Sequence, residues 1–475
     1  MSTQAPPLRF GTDGWRDCIA QGFTLANVRR VADAAARHFL NVRHQLPVRN
    51  KSRICIAYDN RFLSPESAAE TARIFSRYGF EVLMPDCPLP TPVLSFAIVH
   101  RKAAGGMMIT ASHNPFYFNG CKVKTFHGAS AGSDETSIIE HHIRPVVVRP
   151  ENSPKKLVRT DDFMSPYGES LRKKVNSSVM SLFKQTIIVD GMHGPGAHVF
   201  GNILNEFAIK NILIRDKRDP LFGSVNPEPI EKNLSMLKKA VRMHSNSIGI
   251  AFDGDADRIG MVDERGRFVN SHSIFSLLVL HVIKNKALKG SIIKTVSGTY
   301  MVERLAKKYS RSLIETPIGF KHITDQMLKG GVMIGGEESG GIGFAGHIPE
   351  RDALLSALYM IELIAAEKKP LHRLIDDLQR SVGPSCYDRM DVKIGSIQDK
   401  DLFNDNVKTK AAQVFKKDPP LINDHDGVKF IWPDQRWLLL RVSGTEPVLR
   451  IYAESSSRKE TDKLLALGKQ FEYNQ

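Results

Sequence analysis

The sequence predicts a protein of several α/β domains: three α/β units, each built on a mixed or parallel sheet, followed by a smaller α+β unit. The chain has 475 residues, whereas a single domain holds roughly 150 residues on average. Short apolar runs alternate with longer helical patterns along most of the chain, which is typical of α/β layers. The last segment alternates differently, with two neighbouring strand-like runs, a further strand and a terminal helix.

The first unit begins the alternation. Residues 53–58 form an apolar run with the length of a buried strand, and residues 64–78 follow with a helical pattern. Two more strand-like runs occupy residues 80–84 and 106–110. Because strands that alternate with helices form parallel or mixed sheets, this segment predicts one α/β unit.

The same pattern restarts twice along the chain. Apolar runs at residues 185–190 and 291–296 each begin a new series of strand and helix patterns. The two restarts therefore predict a second and a third α/β unit. Residues 427–432 and 437–442 look like a strand pair in the smaller last unit.

Two polar stretches that contain proline predict domain boundaries. Residues 148–162 carry two prolines and many polar side chains, as a linker does, and residues 381–384 follow the end of a predicted helix. These stretches, with the restarts of the pattern, divide the chain into four predicted domains: residues 1–152, 160–272, 273–380 and 385–475.

The composition is that of a soluble globular protein, with 42% hydrophobic and 25% charged residues, and it excludes disordered and fibrous classes. The net charge is +15, but the basic residues occur as dispersed pairs, without the concentrated footprint of a nucleic-acid binder. No nucleic acid is therefore expected as a partner. An anionic small substrate and solvated surface lysines account for the excess charge.

Cysteine use and hydropathy favour a cytoplasmic location. The five cysteines are scattered, without the close pairs of zinc or thioredoxin-like sites, which suits a reducing compartment. The most apolar window, residues 353–366, is interrupted by Glu362 and is shorter than a membrane span. The first ten residues do not resemble a signal peptide, and no membrane partner is expected.

The first chemical motif is a loop that follows an apolar strand, Thr110-Ala-Ser-His-Asn-Pro115. A serine at the end of a strand can be presented as a nucleophile, which makes Ser112 a candidate. Pro115 restricts the backbone of Asn114. The alternative is an ordinary turn, because serine, asparagine and proline are all common turn residues.

The second motif, Asp253-Gly-Asp-Ala-Asp-Arg258, indicates a metal site. Three carboxylates at alternate positions can converge on a hard cation if the backbone curves, which Gly254 permits. An EF-hand loop needs glycine at its sixth position, where this chain has Arg258. Mg²⁺ suits an incomplete protein shell that a phosphate oxygen can complete, whereas a solvated acidic turn would leave three carboxylates repelling one another.

Two further loops carry polar groups among glycines. In Gly335-Gly-Glu-Glu-Ser-Gly-Gly341, a carboxylate beside a hydroxyl suits hydrogen bonding to neighbouring sugar hydroxyls, although such loops are often mere turns. The segment Arg441-Val-Ser-Gly-Thr-Glu-Pro447, followed by Arg450, offers guanidinium, hydroxyl and backbone donors. Those donors form an anion pocket, and the alternative is a solvated arginine near a loop.

Together, these four stretches resemble in order and separation the α-D-phosphohexomutase superfamily, most of all its bacterial-type phosphoglucomutases and phosphomannomutases. The resemblance covers essentially the whole chain, from Phe10-Gly-Thr-Asp-Gly-Trp-Arg16 to the loop at Arg441. It implies three related α/β domains with mixed sheets and a smaller C-terminal α+β domain around a central cleft. It also implies an intramolecular phosphotransferase that interconverts hexose 1-phosphate and hexose 6-phosphate, with glucose favoured.

The resemblance further implies an enzyme phosphoserine, Mg²⁺ as cofactor, and a hexose 1,6-bisphosphate as intermediate and activator. Ser112 would carry the phosphoryl group and complete the shell of a Mg²⁺ held by Asp253, Asp255 and Asp257. The other catalytic residues that it implies are Arg16, His113, Lys122, Arg258 and Lys321, with His113 and Lys321 both open as the proton-handling group. The substrate-binding residues that it implies are Glu337 and Ser339 for the sugar, and Arg441, Ser443, Gly444, Thr445 and Arg450 for the phosphate that does not react.

Gly341 departs from several relatives of broader or glucosamine specificity, which carry histidine there, and this weakens a glucosamine assignment. Phosphomannomutase and phosphoglucosamine mutase activities remain the alternatives within the family. A metal-dependent phosphatase would have less need of the separate anion loop at Arg441. A nucleic-acid-binding or regulatory protein on a retired mutase fold is the alternative from another class. A small-molecule sugar phosphate is the expected partner, and the protein is expected to be a monomer or a dimer.

Overall fold

The computed structural model contains four β-sheets that follow one another along the chain, each with its own helices. The predicted fold class is confirmed: the first three sheets mix parallel and antiparallel strands, and the last belongs to a smaller α+β domain. The structure describes residues 8–11, 13–145, 157–395, 399–415, 418, 420–443 and 447–471.

The first domain contains a six-stranded sheet. Its strands are β1 Trp15–Cys18, β2 Asn50–Tyr58, β3 Glu81–Met84, β4 Ala103–Ile109, β5 Phe118–Thr125 and β6 Val158–Thr160. Its helices are α1 Leu25–Val42, α2 Ser64–Arg77, α3 Thr91–His100 and α4 Ser133–His141. The strand order is β1-β5-β4-β2-β3-β6.

One part of the predicted linker is wrong. Residues 158–160 were expected within an irregular connection, but they form β6, which pairs in parallel with β3 at the edge of the first sheet. An edge strand of three exposed residues has no apolar face to bury, so its composition looks like that of a linker. Residues 148–156 of that stretch lie outside the described residues.

The second and third domains have smaller sheets. The second contains α5 Met164–Lys174, α6 Ser177–Met180, β7 Thr186–Asp190, α7 Gly196–Glu206, β8 Asn211–Ile214, α8 Ser235–Met243, β9 Ser247–Phe252, β10 Ile259–Val262 and β11 Phe268–Val269. The third contains α9 Ser271–Lys284, β12 Ser291–Thr295, α10 Tyr300–Lys308, β13 Leu313–Thr316, α11 Phe320–Lys329, β14 Val332–Gly336, β15 Ile342–Phe344, α12 Ala353–Glu367 and α13 Leu371–Val382.

The three sheets repeat one topology. Strand order is β5-β4-β2-β3 within the first sheet, β10-β9-β7-β8 in the second and β15-β14-β12-β13 in the third. In each sheet, three of these strands are parallel, and the next strand along the chain pairs antiparallel with the last of the three. The loop between those last two strands is therefore equivalent in all three domains. It carries Ser112 in the first, Asp253 to Arg258 in the second and Glu337 to Gly341 in the third.

The fourth domain is an antiparallel sheet with two different faces. Its elements are β16 Cys386–Lys393, α14 Lys400–Val414, β17 Leu421–Asn423, β18 Val428–Ile431, β19 Trp437–Val442, β20 Val448–Ser455 and α15 Arg458–Lys469, with the strand order β16-β20-β19-β18-β17. Leu438, Leu440 and Ile451 face the core formed with α14 and α15. Leu439 and Tyr452, on the opposite face, join the core of the other domains, because side chains alternate between the two faces of a strand.

The largest apolar core runs through all four domains. It extends from Cys55 in β2, through Ile250 in β9 and Ile334 in β14, to Trp437 in β19. A buried carboxylate also joins the third and fourth domains, since Glu454 accepts hydrogen bonds from the backbone N–H of Tyr300 at 3.0 Å and from Trp437 Nε1 at 2.7 Å. Among the described residues, no helix combines the length and the apolar character that a membrane crossing requires.

Candidate active site

Ser112 lies at the centre of the site in a strained backbone conformation. Its φ is 53°, in the left-handed region that residues other than glycine rarely adopt. The side chain is fully buried, and its Oγ donates a hydrogen bond to Asp253 Oδ2 at 2.9 Å. The Ser112 N–H donates to Thr110 Oγ1 at 2.8 Å. The loop between β4 and β5 thus directs this hydroxyl at the acidic loop of the second domain.

Arg61 holds that loop in place. It follows β2, is fully buried, and has its Nε 3.2 Å from Asp59 Oδ2. Its guanidinium donates to four carbonyl oxygens, those of Ser112 at 2.5 Å, Asn114 at 2.7 Å, Pro115 at 2.9 Å and Phe118 at 3.0 Å. Sequence reasoning missed Arg61. The available signal was its position after a buried parallel strand, because parallel strands end at the same edge of a sheet.

The three aspartates of the second domain come together as predicted. Asp253, Asp255 and Asp257 are fully buried, and each offers a carboxylate oxygen within 4.8 Å of the others. Oδ1 of Asp255 and Oδ1 of Asp257 have no hydrogen-bond partner among the described residues. Burial, followed by the neighbouring charges of Asp257 and Asp255, raises the pKa of Asp253 well above its ordinary value. Buried carboxylates with orphaned oxygens are the donor set that a hard divalent cation prefers.

The backbone of this loop differs from the expectation. Its left-handed residue is Ala256, with a φ of 54°, rather than Gly254. Gly254 is required for another reason, since a Cβ atom there would lie too close to the carbonyl oxygen of Ser112. Oδ1 of Asp253 accepts the N–H groups of Asp257 at 2.9 Å and Arg258 at 3.1 Å, which closes the loop.

Lys122, on β5, neutralises the acidic loop. Its Nζ lies 2.9 Å from Asp255 Oδ2, 2.9 Å from Asp257 Oδ2 and 3.0 Å from Asp13 Oδ2. Burial alone would lower the pKa of Lys122, but these three carboxylates raise it above its ordinary value. Lys122 therefore remains a cation and links the first domain to the second. Asp13 lies within the Gly-Thr-Asp-Gly-Trp-Arg segment, but its role as a counter-ion was not predicted.

Three more predicted residues surround Ser112. Arg16 Nη1 donates to Asn114 Oδ1 at 2.7 Å, and Arg258 Nε lies 3.7 Å from Asp257 Oδ1. His113 is half-buried, and its Nδ1 has no hydrogen-bond partner in the described part of the chain. Burial, followed by the charges of Arg258 and Arg16, holds the pKa of His113 well below its ordinary value. At neutral pH this imidazole is therefore uncharged, and the lowered pKa makes it a weak base.

The predicted sugar-binding loop faces the same region. Glu337 is buried, and its Oε1 accepts the Gly319 N–H at 3.2 Å. Burial raises the pKa of Glu337 to about 7, although Arg351 acts to lower it. Ser339 Oγ has no hydrogen-bond partner among the residues that the structure describes. Carboxyl and hydroxyl groups are thus available to bind neighbouring hydroxyls of a sugar.

Arg351 joins the three α/β domains, and sequence reasoning missed it. Its Nη2 lies 2.6 Å from Asp13 Oδ2 and 2.9 Å from Asp257 Oδ2, and its Nη1 lies 3.7 Å from Glu337 Oε2. The next residue, Asp352, accepts the Leu355 N–H as the N-cap of α12. In the sequence, this arginine looks like part of a solvated charge run before an apolar helix, so nothing distinguished it.

Two other predicted groups lie apart from the acidic loop. Lys321, on α11, donates from Nζ to Ser133 Oγ at 2.6 Å, at the border between the third and first domains. In the fourth domain, Arg441 is directly opposite Arg450 in the β19–β20 ladder, and Arg441 Nε lies 2.9 Å from Asp426 Oδ1. Ser443 is buried at the end of β19. Gly444 and Thr445 lie outside the described residues.

Four family models match this chain in consecutive segments. They are the α/β/α domains I, II and III of phosphoglucomutase/phosphomannomutase, at residues 7–146, 165–266 and 270–381, and the C-terminal domain of the same family at residues 402–467. These segments cover most of the chain and follow the four sheets in order.

Individual proteins show the same similarity. The chain is 30% identical to a phosphoglucomutase/phosphomannomutase of Thermococcus kodakarensis, over 80% of this chain and 81% of the relative. It is 28% identical to a phosphoglucosamine mutase of Alkaliphilus oremlandii, over 96% of each chain. The crystal structure of a putative phosphomannomutase from Thermus thermophilus superimposes with a TM-score of 0.86 at 33% identity, covering 98% of this chain and 99% of that one. The chain therefore belongs to the phosphoglucomutase/phosphomannomutase family and is an intramolecular phosphotransferase.

Proposed function

We propose that the protein interconverts hexose 1-phosphate and hexose 6-phosphate through a phosphorylated Ser112, and that glucose phosphates are its preferred substrates. The observation that carries this proposal is the 2.9 Å hydrogen bond from Ser112 Oγ to Asp253 Oδ2 inside a buried cluster of carboxylates and cations. In that position the hydroxyl can accept or give up a phosphoryl group, because the cations of the cluster neutralise the negative charge of that group. Phosphoryl transfer depends mainly on such positioning and electrostatic stabilisation.

Asp253, Asp255 and Asp257 would hold Mg²⁺ together with an oxygen at Ser112. The orphaned Oδ1 atoms of Asp255 and Asp257 support this assignment, because these two buried oxygens have no hydrogen-bond donor among the described residues. When bound, Mg²⁺ supplies positive charge that stabilises the oxygens of the transferring phosphoryl group.

In the first half-reaction, a free hydroxyl oxygen of the hexose monophosphate forms a bond to the phosphorus on Ser112. The bond between that phosphorus and Ser112 Oγ breaks, the substrate's hydroxyl proton passes to a base, and Ser112 Oγ takes up a proton. The product is a hexose 1,6-bisphosphate. Lys122, 2.9 Å from Asp255, and Arg258, 3.7 Å from Asp257, place positive charge in the cluster that contains the leaving oxygen, which favours its departure.

In the second half-reaction, the bisphosphate has turned over, and Ser112 Oγ attacks its other phosphorus. The proton of the Ser112 hydroxyl passes to a base, the bond from that phosphorus to the sugar oxygen breaks, the sugar oxygen takes up a proton, and Ser112 is phosphorylated again. Glu337 and Ser339 must then hold the sugar in both orientations. Hydrogen bonds to the 3- and 4-hydroxyls serve this purpose, since both hydroxyls lie between the two reacting ends.

His113 and Lys321 are the two candidates for the base. His113 adjoins Ser112 and is uncharged at neutral pH, so its ring is open to a proton, although its lowered pKa makes it a weak base. Lys321 belongs to a helix of the third domain that borders the first domain through Ser133. His113→Asn and Lys321→Met separate the two, because the loss of the base lowers kcat much more than substrate affinity.

The preference for glucose rests on the family resemblance of the segments at Arg16 and Gly341. A site that contacts the 3- and 4-hydroxyls does not distinguish glucose from mannose, which differ at the 2-hydroxyl. Steep discrimination requires a buried polar group that the wrong substrate leaves unpaired. We therefore expect kcat/KM for mannose 1-phosphate to be lower by about one to two decades, on the order of 1.4–3 kcal/mol.

A coupled assay on glucose 1-phosphate, mannose 1-phosphate and glucosamine 1-phosphate, with catalytic bisphosphate added, tests the proposal. Faster turnover of the mannose or glucosamine compound by the same margin contradicts the glucose assignment and leaves the mutase chemistry in place. Release of free phosphate without a bisphosphate intermediate would instead identify a phosphatase.

A further inference from the structure

Three arginines share one face of the fourth-domain sheet. Arg441 on β19 is directly opposite Arg450 on β20. Arg389 on β16 is directly opposite Tyr452, two residues beyond Arg450 on the same strand. Since side chains two residues apart on a strand share a face, the three guanidinium groups belong to the face that turns toward the third domain. Cations arranged in this way repel one another unless an anion lies between them.

Glu338 provides a carboxylate to this cluster from the third domain. Its Oε1 lies 3.7 Å from Arg389 Nη1, and its Oε2 accepts a hydrogen bond from Ser297 Oγ at 3.3 Å. The Glu338 side chain is only 8% exposed. Arg389 has one other acidic contact in the described residues, Asp391 Oδ1 at 3.1 Å from its Nε, on its own strand.

The charges of these groups act on one another. Burial opposes the charged form of Arg441, but Asp426, Tyr452 and Glu338 raise its pKa. Burial raises the pKa of Tyr452 to about 12, and the charge of Glu338 adds to this, while Arg389, Arg450 and Arg441 act to lower it. The Tyr452 hydroxyl, which has no hydrogen-bond partner among the described residues, therefore lies in the field of all four charged groups.

We propose that Glu338 is an internal counter-ion of the fourth-domain arginines, which the non-reacting phosphate of a bound ligand replaces, and that Arg389 is a further ligand of that phosphate. The identity of the ligand as a sugar phosphate rests on the proposed function. A phosphate carries more negative charge than a carboxylate and offers three oxygens to forked guanidinium donors, so the exchange is favourable. Displacing a built-in anion also reduces net affinity, which allows the product to leave.

This arrangement couples two parts of the ligand. Glu338 stands between Glu337 and Ser339, the two residues assigned to the sugar. When a phosphate releases Glu338 from Arg389, the loop that carries those residues changes its contacts as well. Occupation of the anion subsite is therefore communicated to the sugar loop through a single residue.

Binding measurements without turnover test this inference. The probes are inorganic phosphate and 1,5-anhydroglucitol 6-phosphate, which has no hydroxyl at the carbon that would react, and the readout is calorimetric titration of the full chain. Arg389→Met should weaken binding of both probes by about tenfold or more, as expected for the loss of a charge-assisted hydrogen bond. Glu338→Gln should tighten binding of inorganic phosphate by about threefold or more, because it removes the competing anion.

Arg436→Met is the matched control. Arg436 is on the same domain and is similarly exposed, 26% against 29% for Arg389, but its ion pairs are with Asp418 and Asp434. It should leave both dissociation constants within about twofold, since exposed ion pairs contribute little. If Arg389→Met binds both probes like the unmodified protein, or if Glu338→Gln weakens phosphate binding, the inference is wrong.

Two safeguards keep the outcome interpretable. If Arg389→Met does not fold, two other variants still test the inference. They are Glu338→Gln, and Arg389→Lys, which keeps the charge and loses the forked donors. A protein that lacks mutase turnover but shows the expected changes in phosphate binding would contradict the proposed function alone. If the protein shows mutase turnover but neither substitution changes its phosphate binding, this inference alone is wrong.

Discussion

The side chain of Arg351 fills the space beside Gly341, where a Cβ atom would collide with its Cγ and Cδ. A glycine at position 341 therefore allows Arg351 to reach Asp13, Asp257 and Glu337 at once. A histidine at that position would require a different path for the side chain of residue 351. Gly341, where the sequence departs from the family pattern, and the side chain of Arg351 thus fit each other.

The first prediction concerns this pair. Gly341→Ala should displace Arg351 and lower kcat/KM by about ten- to a hundredfold, because breaking a buried ion pair leaves charges uncompensated. Steady-state kinetics measures the effect. Gly168→Ala is the control, since a Cβ atom at that helical glycine meets nothing within 4 Å. Equal activity of the two variants would show that Arg351 can be moved without consequence.

Ser112→Ala should lower kcat by at least ~10³-fold, the scale expected when a covalent nucleophile is removed. Intact-mass spectrometry should detect a phosphate adduct on the unmodified protein and none on the variant. The side chain contributes one hydrogen bond to Asp253, so the fold should survive the change. Turnover close to normal in Ser112→Ala would overturn the phosphoserine mechanism.

Removal of metal should abolish turnover. We expect EDTA to stop the reaction and Mg²⁺ to restore it better than Ca²⁺, which accepts looser geometry and longer bonds. Asp255→Asn should lower the affinity for Mg²⁺ and so raise the Mg²⁺ concentration needed for half-maximal turnover, because Asp255 Oδ1 is one of the two orphaned carboxylate oxygens. Full activity in chelator, with no metal carried over, would refute the metal site.

Arg61→Met should destabilise the protein by about 3–5 kcal/mol, because it leaves the buried carboxylate of Asp59 without its cationic partner. The variant also loses four hydrogen bonds to the Ser112 loop, so kcat should fall as well. Denaturant unfolding measures the first effect. The double variant Arg61→Met with Asp59→Asn should recover part of the stability and little of the activity. Recovery of both would mean that the loop keeps its shape without the arginine.

The pKa of Glu337, raised by burial to about 7, predicts a pH dependence. As pH rises through 7, Glu337 becomes a carboxylate and can accept hydrogen bonds from two sugar hydroxyls, so kcat/KM should increase. Glu337→Gln should remove this step and leave the separate step of the substrate phosphate, whose second pKa is about 6. A profile that is unchanged in Glu337→Gln would assign the step to another group.

The same shift affects stability. The folded protein holds the Glu337 proton more tightly than the unfolded chain, whose carboxyl has the ordinary value of 4.5. The contribution of this group to stability is therefore complete below pH 4.5 and is lost as pH rises through 7. The Tm of Glu337→Gln, measured relative to that of the unmodified protein, should accordingly be higher above pH 7 than below pH 4.5.

Much of the fold was predictable because it depends on local patterns. The strand predicted at residues 53–58 is observed as the end of β2, Asn50–Tyr58, and the helix predicted from residue 64 begins there as α2. Buried parallel strands are continuous apolar runs, and these are visible in a single sequence. The edge strand at residues 158–160 was missed because its three residues are exposed and pair with a partner distant in sequence.

The site was predictable where function is concentrated in one loop, and not where distant residues meet. Asp253, Asp255 and Asp257 lie within five residues, so their convergence was visible. Arg351 and Asp13 are 338 positions apart in the sequence. A contact between them depends on how the first and third domains pack, which local spacing does not encode.

The ion pairs of Lys122 and Arg351 also make the domains dependent on one another. Asp13 and Lys122 belong to the first sheet's domain, Asp257 to the second and Arg351 to the third. A chimaera that exchanges one of these domains for that of a distant relative would face foreign partners at every one of these positions. The repeated topology suggests that the three domains are interchangeable. The ion pairs between them require instead that the three domains be inherited together.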